Sequence, residues 1–299
     1  MSPLSRSIEF VEVGPRDGLQ NEALLVSTAQ KVELIRRAIA AGVRRIEVAS
    51  FVNPSKVPQM ADAEAVVAAL GQPVGVTRIG LVLNQRGAQR ALAAGVDQLG
   101  AVAVASDEFG VRNQGQISAE SLAVASEIIG MAQAAGITAQ VTIAVAFGCP
   151  FSGAVDPAYV VSMAQALAQA GPVEIALADT IGVAAPAEVS ALVNAVCAAI
   201  APLPVRVHFH NTRGTGIANV WAAVEAGANV VDGSIGGLGG CPFVPGAAGN
   251  VASEDVAYLL ARSGVATGLD LPKLVETARW LGGVMGKEMP SMLSKAGAA

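Results

Sequence analysis

Residues 205–214 read VRVHFHNTRG, an apolar, β-branched run that carries His208 and His210 and then breaks into Asn, Thr, Arg and Gly. A short apolar run closed by turn formers is the pattern of a buried strand. The pattern recurs as IEFVEV at 8–13, RIEVAS at 45–50, RIGLVL at 78–83, QLGAVAVA at 98–105, TAQVTIAVAF at 138–147, VEIALA at 173–178 and NVVDGSI at 229–235. Between these runs lie Ala-rich amphipathic stretches such as TAQKVELIRRAIAAGV and ADAEAVVAAL, often closed by Gly where a helix C-cap belongs. Strands alternating with helices, without a linker rich in Pro, Ser or charge, predict an α/β chain closed as a (β/α)8 TIM barrel rather than two doubly wound domains. Residues 1–299 are expected to form a single catalytic domain. From about residue 253 to Leu293 the helical pattern continues as extra C-terminal helices, which would cap one barrel end or build an oligomer contact.

Composition narrows the function classes. With 53% hydrophobic and 14% charged residues, the chain has material for a large core and little for disorder. Its apolar runs are cut by Gly, Pro, Asn or charge before the ~18 residues a spanning helix needs, so no membrane role is expected. The start, MSPLSRSIEF, lacks an apolar signal region and makes the cytoplasm the expected compartment. A net charge of −5 without a Lys/Arg cluster argues against nucleic acid and for a small-molecule partner. Cys149, Cys197 and Cys241 are odd in number and lack metal-finger spacing, which offers no disulfide framework. Cys197 reads as a small buried residue of a helix, whereas Cys149 and Cys241 each sit in the tetrapeptide GCPF. No GxGxxG opens the first strand–helix turn and no Walker sequence occurs.

His208 and His210 are the only two histidines of the 299 residues. Two residues apart on a strand, they face one side, as imidazoles converging on a metal would. Satisfied core histidines are the plainer alternative. A barrel places its chemistry at the C-terminal strand ends and the loops beyond them. Arg16 and Asp17 follow the first strand and Glu47 lies on the second. Ser106, Arg112 and Asn113 follow the fourth, Asp179 and Thr180 the sixth, and the Gly-rich loop 236–249 with Asn250 the eighth. Asp17 with the two imidazoles would make a divalent-cation triad, to which Asn250 can add an amide oxygen. Either residue could instead serve a turn, Asn250 ahead of a helix capped by Ser253. Glu47 inside a barrel needs a partner, and Arg16 is the natural one, catalytic or structural. The loop around Cys241 suits a mobile lid better than an ordinary surface loop, because a thiol beside Pro and Phe serves acid–base or nucleophilic chemistry.

Taken together, VEVGPRDGLQNE, IEVASFVNPSKVPQMAD, ADTIGV, HFHNTRG and GGLGGCPFVPGAAGNVASEDV closely resemble the 3-hydroxy-3-methylglutaryl-CoA lyase family of metal-dependent barrels, over roughly residues 8–281. The resemblance implies retro-Claisen cleavage of an acyl-CoA to acetyl-CoA and acetoacetate, the chemistry of leucine degradation and ketone-body formation. It implies Mg2+ or Mn2+ on Asp17, His208, His210 and Asn250, with Arg16, Asp17, Glu47 and Cys241 as catalytic residues. Arg16, Asn113, Asp179, Thr180 and Arg213 would contact the acyl-CoA, with Arg112 a candidate for its nucleotide. A homo-oligomer, dimer or tetramer, is expected. Where such lyases often read HxHDTYG, this chain has Asn211 and Arg213, a change that bears on the acyl group and admits citramalyl-CoA or another 3-hydroxyacyl-CoA. The HxHN pattern is shared with Claisen-type synthases, which lack the GGLGGCPF loop. A barrel that binds metal and acyl-CoA without turnover is the remaining alternative.

Overall fold

In the computed structural model, which describes residues 6–240 and 249–297, eight parallel strands pair in sequence order and close into a barrel. The chain runs β1 (Glu9–Glu12), α1 (Thr28–Ala40), β2 (Arg45–Ser50), α2 (Ala63–Leu70), β3 (Thr77–Leu81), α3 (Gln85–Ala94) and β4 (Gln98–Val104). Two helices follow, α4 (Asp107–Gln114) and α5 (Ser118–Ala134), then β5 (Thr138–Ala144), α6 (Pro157–Ala168), β6 (Ile175–Asp179), α7 (Pro186–Ile200), β7 (Val205–Phe209), α8 (Gly216–Glu225) and β8 (Val230–Gly233). The C-terminal helices are α9 (Ser253–Arg262), α10 (Leu271–Met285) and α11 (Met292–Ala296). β1 closes the barrel against β8, with Glu9 opposite Val230 and Glu12 opposite Gly233. The expected strands are all present, most of them trimmed at one end or both.

The local chemistry explains the elements. β2, β6, β7 and β8 are buried along their whole length, as parallel strands covered on both faces must be. α1 starts at a capping box in which Ser27 and Gln30 each bond the other's backbone N–H. α3 and α4 end on Gly95 and Gly115, both left-handed, where a side chain would be strained. The helices turn an apolar stripe inward, so Leu34, Ile35, Ile128, Ile129, Val193 and Val220 join one continuous core with the outer faces of the strands.

Barrel interiors are usually filled by branched apolar side chains. Here Glu47, Arg206, Asp232, Gln140 and Glu174 are all at most 2% exposed, so a charged layer underlies the mouth. Gly100 makes room for it: a Cβ there would lie 2.8 Å from Gln140 Nε2. The register of β2 against β3 shifts between Glu47 and Ala49, a local irregularity next to a charged inward residue. One sequence expectation is corrected at the start of α9. Ser253 lies inside the helix and does not cap it; its hydroxyl donates to Glu12 Oε2 at 2.6 Å.

Candidate active site

Beyond β1 the backbone winds tightly, with the N–H groups of Asp17 and Gly18 both donating to Val13 O at 2.7 and 3.2 Å. This turn brings Arg16 and Asp17 over the barrel mouth. Arg16 Nε donates to Glu47 Oε2 at 2.7 Å, and its Nη1 donates to Asp17 Oδ1. The expected Arg16–Glu47 pair is therefore present, and it includes Asp17.

His208 and His210 reach the same carboxylate from β7. Their Nε2 atoms lie 3.9 and 3.7 Å from Asp17 Oδ2, and the three side chains offer ligand atoms within 4.8 Å of one another. Asn250 is carried in by a backbone bridge to His210. Its Nδ2 donates to Asp17 Oδ2 at 2.9 Å and Leu238 O at 3.1 Å, while its Oδ1 is buried and has no partner among the described residues. An unpartnered buried amide oxygen beside a carboxylate and two imidazoles fits a divalent cation. Behind it, His208 Nδ1 lies 2.8 Å from Asp232 Oδ1, the arrangement that orients a metal-ligating imidazole.

Burial pushes the Asp17 carboxyl up, but Arg16 and the imidazoles outweigh it and hold the group well below the usual carboxylate range. Burial likewise pushes Glu47 up, and Arg16 with Arg206 brings it below its ordinary value. Burial draws His208 down, yet the Asp232 carboxylate reverses this and raises it. Asp17 and Glu47 are thus held as anions, ready to face cations.

Arg16, Asp17, Glu47, His208, His210 and Asp232 line a cavity of about 350 Å³ that Asn113 and Thr180 also border, a size suited to an acyl group. Thr180 Oγ1 additionally accepts from Val145 N at 2.9 Å, where Val145 adopts φ 52°, an unfavourable conformation for a β-branched residue. Two expected substrate contacts are not brought to the cavity. Asp179 spends both oxygens on its own loop, accepting from Val183 N at 2.9 Å and Ala184 N at 3.0 Å. Arg213 is exposed and donates to the carbonyls of Ile181 and Gly182 at 3.0 and 2.9 Å, bracing that loop from outside. Arg112 stacks on Phe151, 4.4 Å from the ring centroid, and does not line the cavity. Asn211 Oδ1 accepts from Gly216 N at 3.0 Å at the start of α8, a bond a carboxylate there could also make. Cys241 and most of its Gly-rich loop lie outside the described residues. Cys149 is buried, with Ser106 Oγ donating to its sulfur at 3.0 Å.

The sequence pattern of the HMGL-like family matches residues 7–281. The chain belongs to this family. A hydroxymethylglutaryl-CoA lyase of Bacillus subtilis is 38% identical over 97% of this chain and 97% of its own length. An (R)-citramalyl-CoA lyase of Chloroflexus aurantiacus is 42% identical over 97% of this chain and 95% of its own. The crystal structure of an HMG-CoA lyase from Acinetobacter baumannii, in complex with coenzyme A and 3-methylmalate, superposes with a TM-score of 0.94 at 39% identity, covering 99% and 97% of the two chains. As an HMGL-like barrel with these relatives, the chain is a carbon–carbon lyase. Among the described residues, no helix is long and apolar enough to cross a membrane.

Arg206 and Asp232 are the site residues that sequence reasoning missed. Arg206 stands two residues before His208, so the spacing that put both histidines on one face put Arg206 there as well. Asp232 left no comparable signal, since one acid in an apolar strand can face either way.

Proposed function

We propose that the chain is a divalent-metal-dependent lyase that cleaves 3-hydroxy-3-methylglutaryl-CoA to acetyl-CoA and acetoacetate by a retro-Claisen reaction. The observation that carries this reading is the convergence of Asp17, His208 and His210 within 4.8 Å, beside the Arg16 guanidinium, on one cavity. These three side chains and Asn250 would hold the ion, with Mg2+ or Mn2+ the ion that the family resemblance implies. When bound, the cation supplies Lewis acidity that lowers the pKa of the substrate's tertiary hydroxyl toward neutrality.

The protein's own groups then act on the thioester end. As the C–C bond breaks, negative charge collects on the thioester oxygen, and a guanidinium already in place stabilises it more in the transition state than in the ground state. Arg16 is that group. Its Nε bond to Glu47 and its Nη1 bond to Asp17 fix the plane of the guanidinium before substrate arrives. Asn113 and Thr180 border the acyl chain, while Asp179 and Arg213 act through the loop after β6. Cys241, the thiol that the family resemblance places beside the substrate, would assist proton transfer to the enolate carbon. The lyase works in the cytoplasm as a homo-oligomer, with the chain one catalytic domain whose helices from residue 253 onward cap a barrel end or form the subunit contact. Its products belong to leucine degradation and ketone-body formation.

A second reading, cleavage of citramalyl-CoA to acetyl-CoA and pyruvate, is favoured by the 42% identity to a citramalyl-CoA lyase. Incubating the protein with each thioester and Mg2+ or Mn2+, and identifying the keto acid by mass spectrometry, separates the two. Acetoacetate from the first substrate supports the proposal; pyruvate from the second alone replaces it. Free CoA thiol from acetyl-CoA and a 2-oxo acid would instead mark a synthase, and binding without any product would mark a non-catalytic barrel.

A further inference from the structure

Arg206 is the bulkiest of the fully buried side chains and is 1% exposed on the barrel axis. Its Nη2 lies 3.4 Å from Glu47 Oε1 and donates to Gln140 Oε1 at 2.9 Å and Thr142 Oγ1 at 3.1 Å. Its Nε lies 3.5 Å from Asp232 Oδ2 and 3.5 Å from Glu174 Oε1, ion-pair distances without a hydrogen bond. Two of the three carboxylates it faces, Glu47 and Asp232, are those that hold the site. Glu47 uses its other oxygen to bind Arg16, and Asp232 uses its other oxygen to face His208 Nδ1. Arg16 meets Asp17, and Asp17 faces His208 Nε2, so the path Arg16, Glu47, Arg206, Asp232, His208, Asp17 returns to its start.

We propose that Arg206 is a positioning residue that locks this ring, fixing through Glu47 the plane of Arg16 and through Asp232 the aim of the His208 Nε2 lone pair at the cation site. The inference rests on the metal-dependent reading above. Burying Arg206 for stability alone is a weak explanation, because an apolar residue of similar volume commonly serves a barrel interior as well or better. A planar fork meets its carboxylates in a fixed geometry, which a compact charge on a flexible stem does not impose. Lysine should therefore keep the charge and lose the alignment.

The test uses Arg206→Lys, with Arg206→Gln as a second variant and Arg78→Lys as the control. Arg78 is also a buried arginine, 2% exposed and paired with Asp97 at 2.8 Å, and it has no contact with the ring. Mn2+ binding to the metal-stripped proteins is measured by the loss of the free-ion electron paramagnetic resonance signal, alongside kcat, KM and thermal unfolding. The expected result is Mn2+ binding at least about tenfold weaker in Arg206→Lys, the range typical of lost partners behind a metal ligand, with a fall in kcat larger than the rise in KM. Arg78→Lys should bind Mn2+ as the unaltered protein does, whatever its unfolding temperature. Unchanged Mn2+ affinity and kcat in Arg206→Lys would overturn the inference even if Arg206→Gln fails to fold. Failure of the unaltered protein to bind Mn2+ would instead overturn the metal-dependent reading itself.

Discussion

His208 stands between two carboxylates: its Nδ1 lies 2.8 Å from Asp232 Oδ1 and its Nε2 lies 3.9 Å from Asp17 Oδ2. The first contact fixes which ring nitrogen carries the proton and leaves the second free to ligate. Asp232→Asn removes the charge while keeping the shape. It is expected to weaken divalent-metal binding by about 10- to 100-fold, measured by titration calorimetry with Mn2+. Undiminished affinity would show that Asp232 serves the fold alone.

Arg16→Gln removes the guanidinium aimed at the thioester end. The expected loss is about 10²- to 10³-fold in kcat, the usual effect of removing one donor to a developing oxyanion, with Mn2+ affinity changed far less. Equal losses in kcat and metal affinity would assign Arg16 to holding Asp17 instead.

Two buried acids near the turn after β8 make stability depend on pH. Burial pushes Glu12 up to about 8 and Glu254 up to about 7, although both accept backbone N–H groups of that turn. A carboxyl whose pKa is higher folded than unfolded stabilises the fold fully below its unfolded value, and that contribution is lost as pH rises through the folded value. Stability should therefore fall by a few kcal/mol between about pH 5 and pH 8. Glu12→Gln keeps the shape and the acceptor for Gly14 and Ile235. Its unfolding temperature should vary less over pH 5–9 and exceed that of the unaltered protein at the alkaline end; parallel curves would refute this.

Gly239 adopts φ +107°, and a Cβ there would lie 2.8 Å from Asn250 Nδ2 and 3.0 Å from Asp17 O. Gly239→Ala should therefore displace Asn250, lowering stability by about 1–3 kcal/mol and weakening Mn2+ binding. Thermal unfolding and Mn2+ titration of the same preparation check both effects.

The barrel was legible because its strands and helices are each written in a period of their own, with Gly closing several helices. The carboxylate and imidazoles were legible because strand spacing and the barrel's chemical end both constrain where Asp17, His208 and His210 can point. Asp179 was ambiguous in the sequence for a physical reason: an acid beside a loop can face a cavity or accept the loop's own N–H groups, and sequence does not separate these. Arg213 likewise reaches back to two carbonyls, a contact set by the turn of the chain. Ser253 resembles a helix cap, yet Glu12, 241 positions earlier, takes its hydroxyl. Such partners are fixed only when the barrel closes.

Asp17, His208 and His210 are assigned a metal-dependent retro-Claisen cleavage. Its most direct test is acetyl-CoA formation from 3-hydroxy-3-methylglutaryl-CoA by metal-stripped protein as Mn2+ is added, followed by mass spectrometry, with free thiol titrated in quenched samples. Without metal no product should form; once Mn2+ is supplied, saturable acetyl-CoA should appear with matching acetoacetate and no free thiol. Cleavage independent of metal, or none from this substrate with Mn2+ bound, would contradict that assignment.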